Sequence, residues 1–232
     1  MLELADLHAH YGKSHVLQGV RLKVAPGEAV ALLGRNGVGK TTTLRTIMGL
    51  TAASGGAVSF EGNRLDRMSA HKIPRLGIGY VPQGRRIFPK LTVLENLCLG
   101  LDKDPPLAAL APIFARFPRL EERLKQAGGT LSGGEQQQLA IARTLVMKPK
   151  LILLDEPTEG IMPKLVADIR NEIKAINASG VSILLVEQNI RTALAVCARA
   201  YIMEKGVICY EGTAAELKSQ PDAIHRYLGV AI

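Results

Sequence analysis

The chain has 232 residues, 47% of them hydrophobic and 22% charged, so it is long enough for a buried core and too polar for a membrane protein. Cys98, Cys197 and Cys209 are odd in number and nowhere near C-x-x-C spacing, which excludes a disulfide frame or a zinc cluster and points to a reducing compartment. The net charge of +8 fits nucleic acid, an anionic membrane surface or a small polyanionic ligand, its scatter with no basic run longer than Arg85-Arg86 weighs against nucleic acid, and neither a secretory signal nor a membrane span is expected.

The opening predicts antiparallel strands over Leu2 to Leu7 and Val16 to Val24, where Val20, Leu22 and Val24 alternate with Arg21 and Lys23. Between them lies Tyr11-Gly12. An exposed Tyr11 could stack on an adenine ring, and a core or turn tyrosine is an equal reading. Pro26-Gly27 is expected to close the hairpin. An apolar strand from Glu28 to Leu33 then runs into Gly34-Arg35-Asn36-Gly37-Val38-Gly39-Lys40-Thr41, followed by a helix over Thr42 to Leu50. Strand, glycine turn and helix in that order make G-x-x-x-x-G-K-[ST] a phosphate site. Gly34, Gly37 and Gly39 free the backbone to aim amide N–H groups inward, Lys40 adds a point charge for the β- and γ-phosphates, and Thr41 offers a hydroxyl to Mg²⁺.

Ser54-Gly55-Gly56 reads as a turn before a strand over Ala57 to Phe60, and Leu65 to Leu76 as a short helix weakened by Pro74. Ile78 to Val81 is a core strand that ends at Pro82-Gln83-Gly84. Gln83 therefore falls at a C-terminal strand edge, where open parallel sheets bind ligands, although for Gln83 alone a solvated loop glutamine is the simpler reading. Thr92 and Glu95 form a capping box for a helix to about Gly100. Two further helices, Leu107 to Phe117 and Arg119 to Gln126, complete a segment without strand signals. Ser132-Gly133-Gly134 opens a helix over Glu135 to Met147, either as a second anion site or simply as a capped helix end.

Leu151 to Leu154 is fully apolar and ends in Asp155-Glu156, as a central parallel strand does when it delivers two carboxylates to the ligand edge. One acid there suits Mg²⁺, the other water activation. Pro163 to Ser179 is an amphipathic helix, and Val181 to Val186 reads as the last buried parallel strand, ending in Glu187-Gln188-Asn189 and a helix to about Arg199. Tyr201 to Met203 and Val207 to Tyr210 form a hairpin, and Thr213 caps a final helix.

The glycine loop, Leu131-Ser132-Gly133-Gly134-Glu135 at a helix start and LILLDEPT, in that order, resemble the ATP-binding cassette family over nearly the whole chain. The resemblance implies an α/β P-loop NTPase: a RecA-like, mostly parallel core sheet, an N-terminal antiparallel β part (about 1–27 and 57–63) and a helical insertion (about 91–128) in one domain of residues 1–232. It implies Mg·ATP hydrolysis. Gly34 to Thr41 with Thr42 resemble the phosphate loop and Tyr11 the adenine-stacking aromatic. Thr41, Gln83 and Asp155 resemble the Mg²⁺ side, and Glu156 the general base. Leu131 to Glu135 resemble the signature motif, which caps the γ-phosphate of the opposite subunit, and Gln188 occupies the switch position.

Finer stretches narrow the resemblance. GIGYVPQGRRIFPKLTVLENL, DEPTEGIMP and LLVEQN look like the second ATPase of branched-chain amino acid importers and their urea and short-amide relatives. GRNGVGKT and PTEGI lean to the urea branch. Met162 stands where the family usually has aspartate, and Gln188 where it has histidine. The partners implied are a second cassette, non-identical or a copy of itself in a head-to-tail dimer, membrane permeases and, indirectly, a periplasmic binding protein, with no nucleic acid. The place implied is the cytoplasmic face of the inner membrane, as a peripheral subunit soluble when isolated. Rivals are a lipopolysaccharide-export ATPase, which Thr192 to Tyr201 resembles, and a non-transport cassette ATPase acting on DNA or the ribosome.

Overall fold

Five consecutive apolar residues with no polar alternation must lie in a strand covered on both sides. In the computed structural model, which describes residues 1–219 apart from 102 and 104, they do. Strand β3 (Ala29–Leu33) is buried at every position and sits inside a six-stranded sheet ordered β10-β9-β3-β8-β7-β6. Its neighbours there are β6 (Ile78–Val81), β7 (Leu151–Asp155), β8 (Ser182–Glu187), β9 (Arg199–Glu204) and β10 (Val207–Thr213). All pairings are parallel except that of β10 with β9. This is a P-loop NTPase fold of the α/β class.

Side chains of a strand alternate between faces, and the two faces of this sheet serve two cores. Ala29, Ala31 and Leu33 join Ile152, Leu154, Ile183 and Leu185 in one cluster. That cluster is roofed by α5 (Gly133–Val146), α6 (Pro163–Ala178) and α7 (Ile190–Val196) through Leu139, Ile169, Ile173 and Ala193. Val30 and Leu32 join Leu151, Leu153, Leu184 and Val186 in the other, against Leu44 and Ile47 of α1 (Lys40–Ile47). A four-stranded antiparallel sheet, β2-β1-β4-β5, closes this second face with Leu4, Leu7, Leu17 and Val20. Its strands are β1 (Leu2–Tyr11), β2 (Ser14–Val24), β4 (Ala53–Phe60) and β5 (Asn63–Arg64). Each Leu or Ile buried this way contributes about 1.5–3 kcal/mol, which fixes the strand ends that carry the functional loops.

Four expectations need correction. Pro26-Gly27 does not close a hairpin. The hairpin is β1 with β2, turning at Gly12-Lys13, and Pro26-Gly27 carries the chain from one sheet to the other. Ser54-Gly55-Gly56 is not a turn but part of β4. Opposite it the register of β1 shifts between Ala5 and His8, and Gly56 takes φ 79 so close to β1 that an added Cβ would lie 2.1 Å from the Asp6 carbonyl oxygen. The glycines that read as a turn therefore serve a bulge. The strand at Val181 is not the last parallel one, because β9 pairs in parallel with β3, Ala31 opposite Ala200 and Leu33 opposite Ile202.

Finally, the helix expected over Arg119 to Gln126 shrinks to α4 (Pro118–Glu121). Val93 N–H donates to the Gln126 carbonyl and Leu94 N–H to that of Leu124, which draws this stretch against α2 (Val93–Cys98) and out of helix. Before it, Leu107–Leu110 is a 3-10 turn and only α3 (Ala111–Arg116) is α-helical. The chain's last described helix, α8 (Ala214–Lys218), carries the expected Thr213 cap, and residues 220–232 lie outside the described residues.

One side chain binds the two sheets to each other. Arg199 uses all five N–H groups: Nε and Nη2 on the two carboxylate oxygens of Glu28 (2.8 and 2.9 Å), Nη1 on Glu211 (2.7 Å) and on the Tyr201 hydroxyl, and Nη2 on the Lys23 carbonyl of β2 (2.8 Å). The bidentate Glu28 pair is the geometry a guanidinium favours. It holds the Arg199 pKa above its ordinary value, the Glu28 hydrogen bonds outweighing partial burial.

Candidate functional site

Four loops leave the C-terminal edge of the parallel sheet, where such sheets bind ligands. Strand β3 feeds Gly34 to Gly39, β7 feeds Glu156 to Gly160, β8 feeds Gln188-Asn189 and β6 feeds Pro82 to Arg86. A cleft of about 260 Å³ between them is lined by Asn36, Gly37, Gly39, Lys40, Thr41, Thr42, Gln83 and Glu156.

The first loop wraps on itself because its glycines permit it. An added Cβ on Gly34 would lie 2.5 Å from the Met203 carbonyl oxygen, and Gly39, at φ 116, begins α1 without a side-chain cap. The first amides of α1 are thus left for another acceptor, and an anion is the acceptor that a helix N-terminus attracts. Lys40 is buried and donates to the carbonyls of Gly34 (2.8 Å) and Arg35 (3.0 Å). Its Nζ also lies 3.1 Å from Oε1 of Glu156, which is only 8% exposed. Glu156 itself has φ 47, and its N–H is held by the Val186 carbonyl of β8 at 2.9 Å. A left-handed non-glycine residue costs about 1–3 kcal/mol, so the surrounding structure fixes this carboxylate in place.

Beside this pair, Thr41 Oγ1 donates to Oδ1 of Asp155 (3.0 Å) and the Tyr80 hydroxyl donates to Oδ2 (3.3 Å). Burial pushes the Asp155 carboxyl above its ordinary value, the Thr41 bond opposes that, and the Glu156 charge adds to it. Two oxygens 3.0 Å apart on a carboxylate and a hydroxyl suit a hard cation that takes oxygen ligands, so Thr41 and Asp155 fit Mg²⁺. The phosphate cradle, Lys40 and Thr41 share one cleft, with Asp155 bonded to Thr41 beside it, an arrangement that suits a metal–nucleoside triphosphate.

The remaining candidates divide. Gln83 lines the cleft and donates through Nε2 to Glu159 (2.6 Å). Tyr11 is 47% exposed, and its hydroxyl pairs with Thr51 Oγ1 at 3.1 Å, which leaves its ring on the surface rather than in the core. Gln188 is exposed and lines a neighbouring cleft of about 450 Å³ with Glu156, Glu159 and Glu187. Arg35 enters through its carbonyl, and Val38 accepts the Gly206 N–H at 2.9 Å.

Leu131 to Glu135 do not line the phosphate cleft. Ser132 caps α5 by accepting from Glu135 N–H, and Glu135 returns a bond to Ser132 N–H (2.9 Å) while standing 3.2 Å from Arg123. Gly133 and Gly134 let Arg85 and Leu165 approach the helix start closely.

Two site residues escaped sequence reasoning. Tyr80 sits on β6 and has no sequence signal beyond an aromatic in a strand. Glu187 is 3% exposed and accepts from Thr158 Oγ1 (2.7 Å) and Asn189 N–H (3.4 Å), so it ties the Glu156 loop to the start of α7. An acid at the end of an apolar run, the signal that exposed Asp155, would have found it.

Known proteins resemble this chain in sequence and in fold. A family profile described as ABC transporter matches residues 17–159. The chain is 43% identical over 232 residues, 99% of itself and all of the relative, to the high-affinity branched-chain amino acid transport ATP-binding protein BraG of Pseudomonas aeruginosa. It is 36% identical to the lipopolysaccharide export system ATP-binding protein LptB of Escherichia coli, over 98% of this chain and 97% of that one. Among solved structures, an ATP-binding cassette of an ABC transporter in its ADP conformation superposes with TM-score 0.87 at 26% identity, over 99% of this chain and 97% of that chain.

Proposed function

From the premise that this chain belongs to the ABC transporter family, we propose that it is the ATPase subunit of an importer for branched-chain amino acids. Its activity is transport-coupled ATP hydrolysis. The observation that carries the finer reading is full-length identity to a branched-chain amino acid transport ATPase, higher than that to the lipopolysaccharide-export relative. The urea and short-amide branch rests on GRNGVGKT and PTEGI alone. The histidine expected of the export ATPase at position 188 is replaced by glutamine. Removing the chain from its cells and measuring uptake of labelled leucine, isoleucine, valine, urea and acetamide tests the proposal. Branched-chain uptake should fail and return with the parent chain but not with Glu156→Gln. Loss of urea or amide uptake alone would move the chain to that branch, and intact uptake with defective lipopolysaccharide export would support the second reading.

In the mechanism that follows, the amides of Gly34 to Lys40 and the Lys40 ammonium hold the β- and γ-phosphates. Asn36, Val38 and Thr42 shape that cradle, and Tyr11 stacks on the adenine. Thr41, Asp155 and Gln83 would hold Mg²⁺, which would supply charge neutralisation on the phosphates. Glu156 accepts a proton from the water that attacks the γ-phosphorus, ADP leaves, and Gln188 steadies the γ-phosphate with an amide N–H. Gln188 cannot take up a proton near neutral pH as histidine can, so we assign it a lesser role than the histidine of a non-identical partner cassette.

The site is composite in this reading: Leu131 to Glu135 complete the partner's site in a head-to-tail dimer, as dimeric cassettes among the structural neighbours support. Ser132→Arg should then abolish hydrolysis in the assembled transporter while ATP binding by the isolated chain stays within about two-fold of the parent. A binding loss matching that of Lys40→Ala would put Ser132 in its own chain's site instead. No helix among the described residues is long and apolar enough to cross a membrane. We place the chain as a peripheral subunit on the cytoplasmic face, beneath permeases that receive solute from a periplasmic binding protein, as one domain with its antiparallel and helical parts built on the core.

A further inference from the structure

The loop after β6 passes through three consecutive left-handed residues, Gly84, Arg85 and Arg86, at φ 77, 67 and 46. A local bond from the Arg86 N–H to the Gly84 carbonyl (2.7 Å) closes a tight turn about Arg85, and two left-handed arginines in a row still need contacts elsewhere to hold them. Two guanidinium groups do so. From α5, Arg143 Nη2 donates to the Arg86 carbonyl (2.9 Å) while the group lies over the Phe88 ring. Arg85 reaches the other way. Its Nη2 donates to the Gly160 carbonyl (3.1 Å) and its Nη1 to Gln136 Oε1 (3.4 Å), and a Cβ added to Gly133 would come within 2.9 Å of Nη2.

Those contacts join the loop to two other segments. Gly160 ends the turn that begins at Glu156. Gly133 and Gln136 are in the first turn of α5, directly after Ser132. The loop that carries Arg85 also carries Gln83, which is bonded to Glu159 at 2.6 Å. We propose that Arg85 is a positioning residue for hydrolysis, fastening the start of α5 to the Glu159-Gly160 segment so that a displacement at Ser132 reaches Glu156. This rests on the reading of Glu156 as the base and of Leu131 to Glu135 as the surface facing a second cassette. The task needs arginine. A planar fork donates in two directions at once from one rigid group, whereas a lysine ammonium is a single point on a flexible stem.

The test uses Arg85→Ala and Arg85→Lys in the full chain, with Glu156→Gln beside them. ATP affinity of the isolated chain should stay within about two-fold of the parent. In the assembled transporter kcat should fall at least about ten-fold in both variants with KM nearly unchanged, since misplacing a reacting group by about 1 Å costs up to about a hundred-fold. Amide exchange should quicken in residues 157–162 and not in residues 40–48. Parent-like kcat, a KM that rises as kcat falls, full recovery by lysine, or unchanged exchange in 157–162 would each overturn the assignment. Should Glu156→Gln turn over at the parent rate, the identity of the base is what fails, and the exchange measurement then decides the linkage by itself.

Discussion

Glu156→Gln is expected to bind Mg·ATP at least as well as the parent and to hold it unhydrolysed, with turnover reduced about 10²–10⁴-fold, the range for loss of a general base. The isostere keeps the left-handed turn and the Val186 bond to its backbone, so the cleft keeps its shape. What it removes is the carboxylate 3.1 Å from Lys40. In the parent, phosphate must compete with that carboxylate for the ammonium; in the variant it competes only with the Gly34 and Arg35 carbonyls. Stripping one partner from a buried ion pair costs up to about 3–5 kcal/mol. The variant should therefore melt earlier without nucleotide and gain more than the parent when ATP is added. Thermal unfolding with and without ATP, together with single-turnover hydrolysis, checks both halves. Hydrolysis at the parent rate would take the base assignment away from Glu156.

Lys40→Ala should fail differently. The lost charge-assisted bonds to phosphate are worth about 1.5–3 kcal/mol, so ATP affinity should drop roughly ten- to a hundred-fold. The same change strands Glu156 as a buried, unpaired carboxylate, and stability falls as well. Because the two residues share one ion pair, the double variant Lys40→Ala/Glu156→Gln should be more stable than the sum of the single losses predicts, by about 0.5–3 kcal/mol. Strict additivity in urea unfolding would mean the pair contributes nothing.

The parts of this site that were legible beforehand are those where chemistry leaves no choice of residue type. A loop that folds its amides inward needs glycine at fixed intervals, and a strand buried on both faces must be apolar to its last residue before the acids begin. Hence Gly34 to Thr41 and Leu151 to Glu156 could be read directly. Where one residue type serves two geometries, reading failed. Gly55-Gly56 fit a turn and a bulge equally well, and only the approach of β1 decides between them. Tyr201 to Met203 looked like half of a hairpin, and they also belong to a parallel strand, because the chain returns beside β3 through the short α7. Long-range contacts were out of reach altogether. Nothing near Arg85 in sequence announces Gly160, and nothing near Lys40 announces that its counter-ion is Glu156.

Arg199 has a consequence for how the molecule comes apart. Its five bonds run to β2, to the turn before β3, to its own strand and to β10, so peeling the antiparallel sheet away breaks its bond to the Lys23 carbonyl and uncovers the charged cluster at the edge of the main core. The second hydrophobic cluster spans the same boundary and would open with it. The two sheets are therefore expected to unfold as one cooperative unit, and two separate transitions on heating would show that they do not.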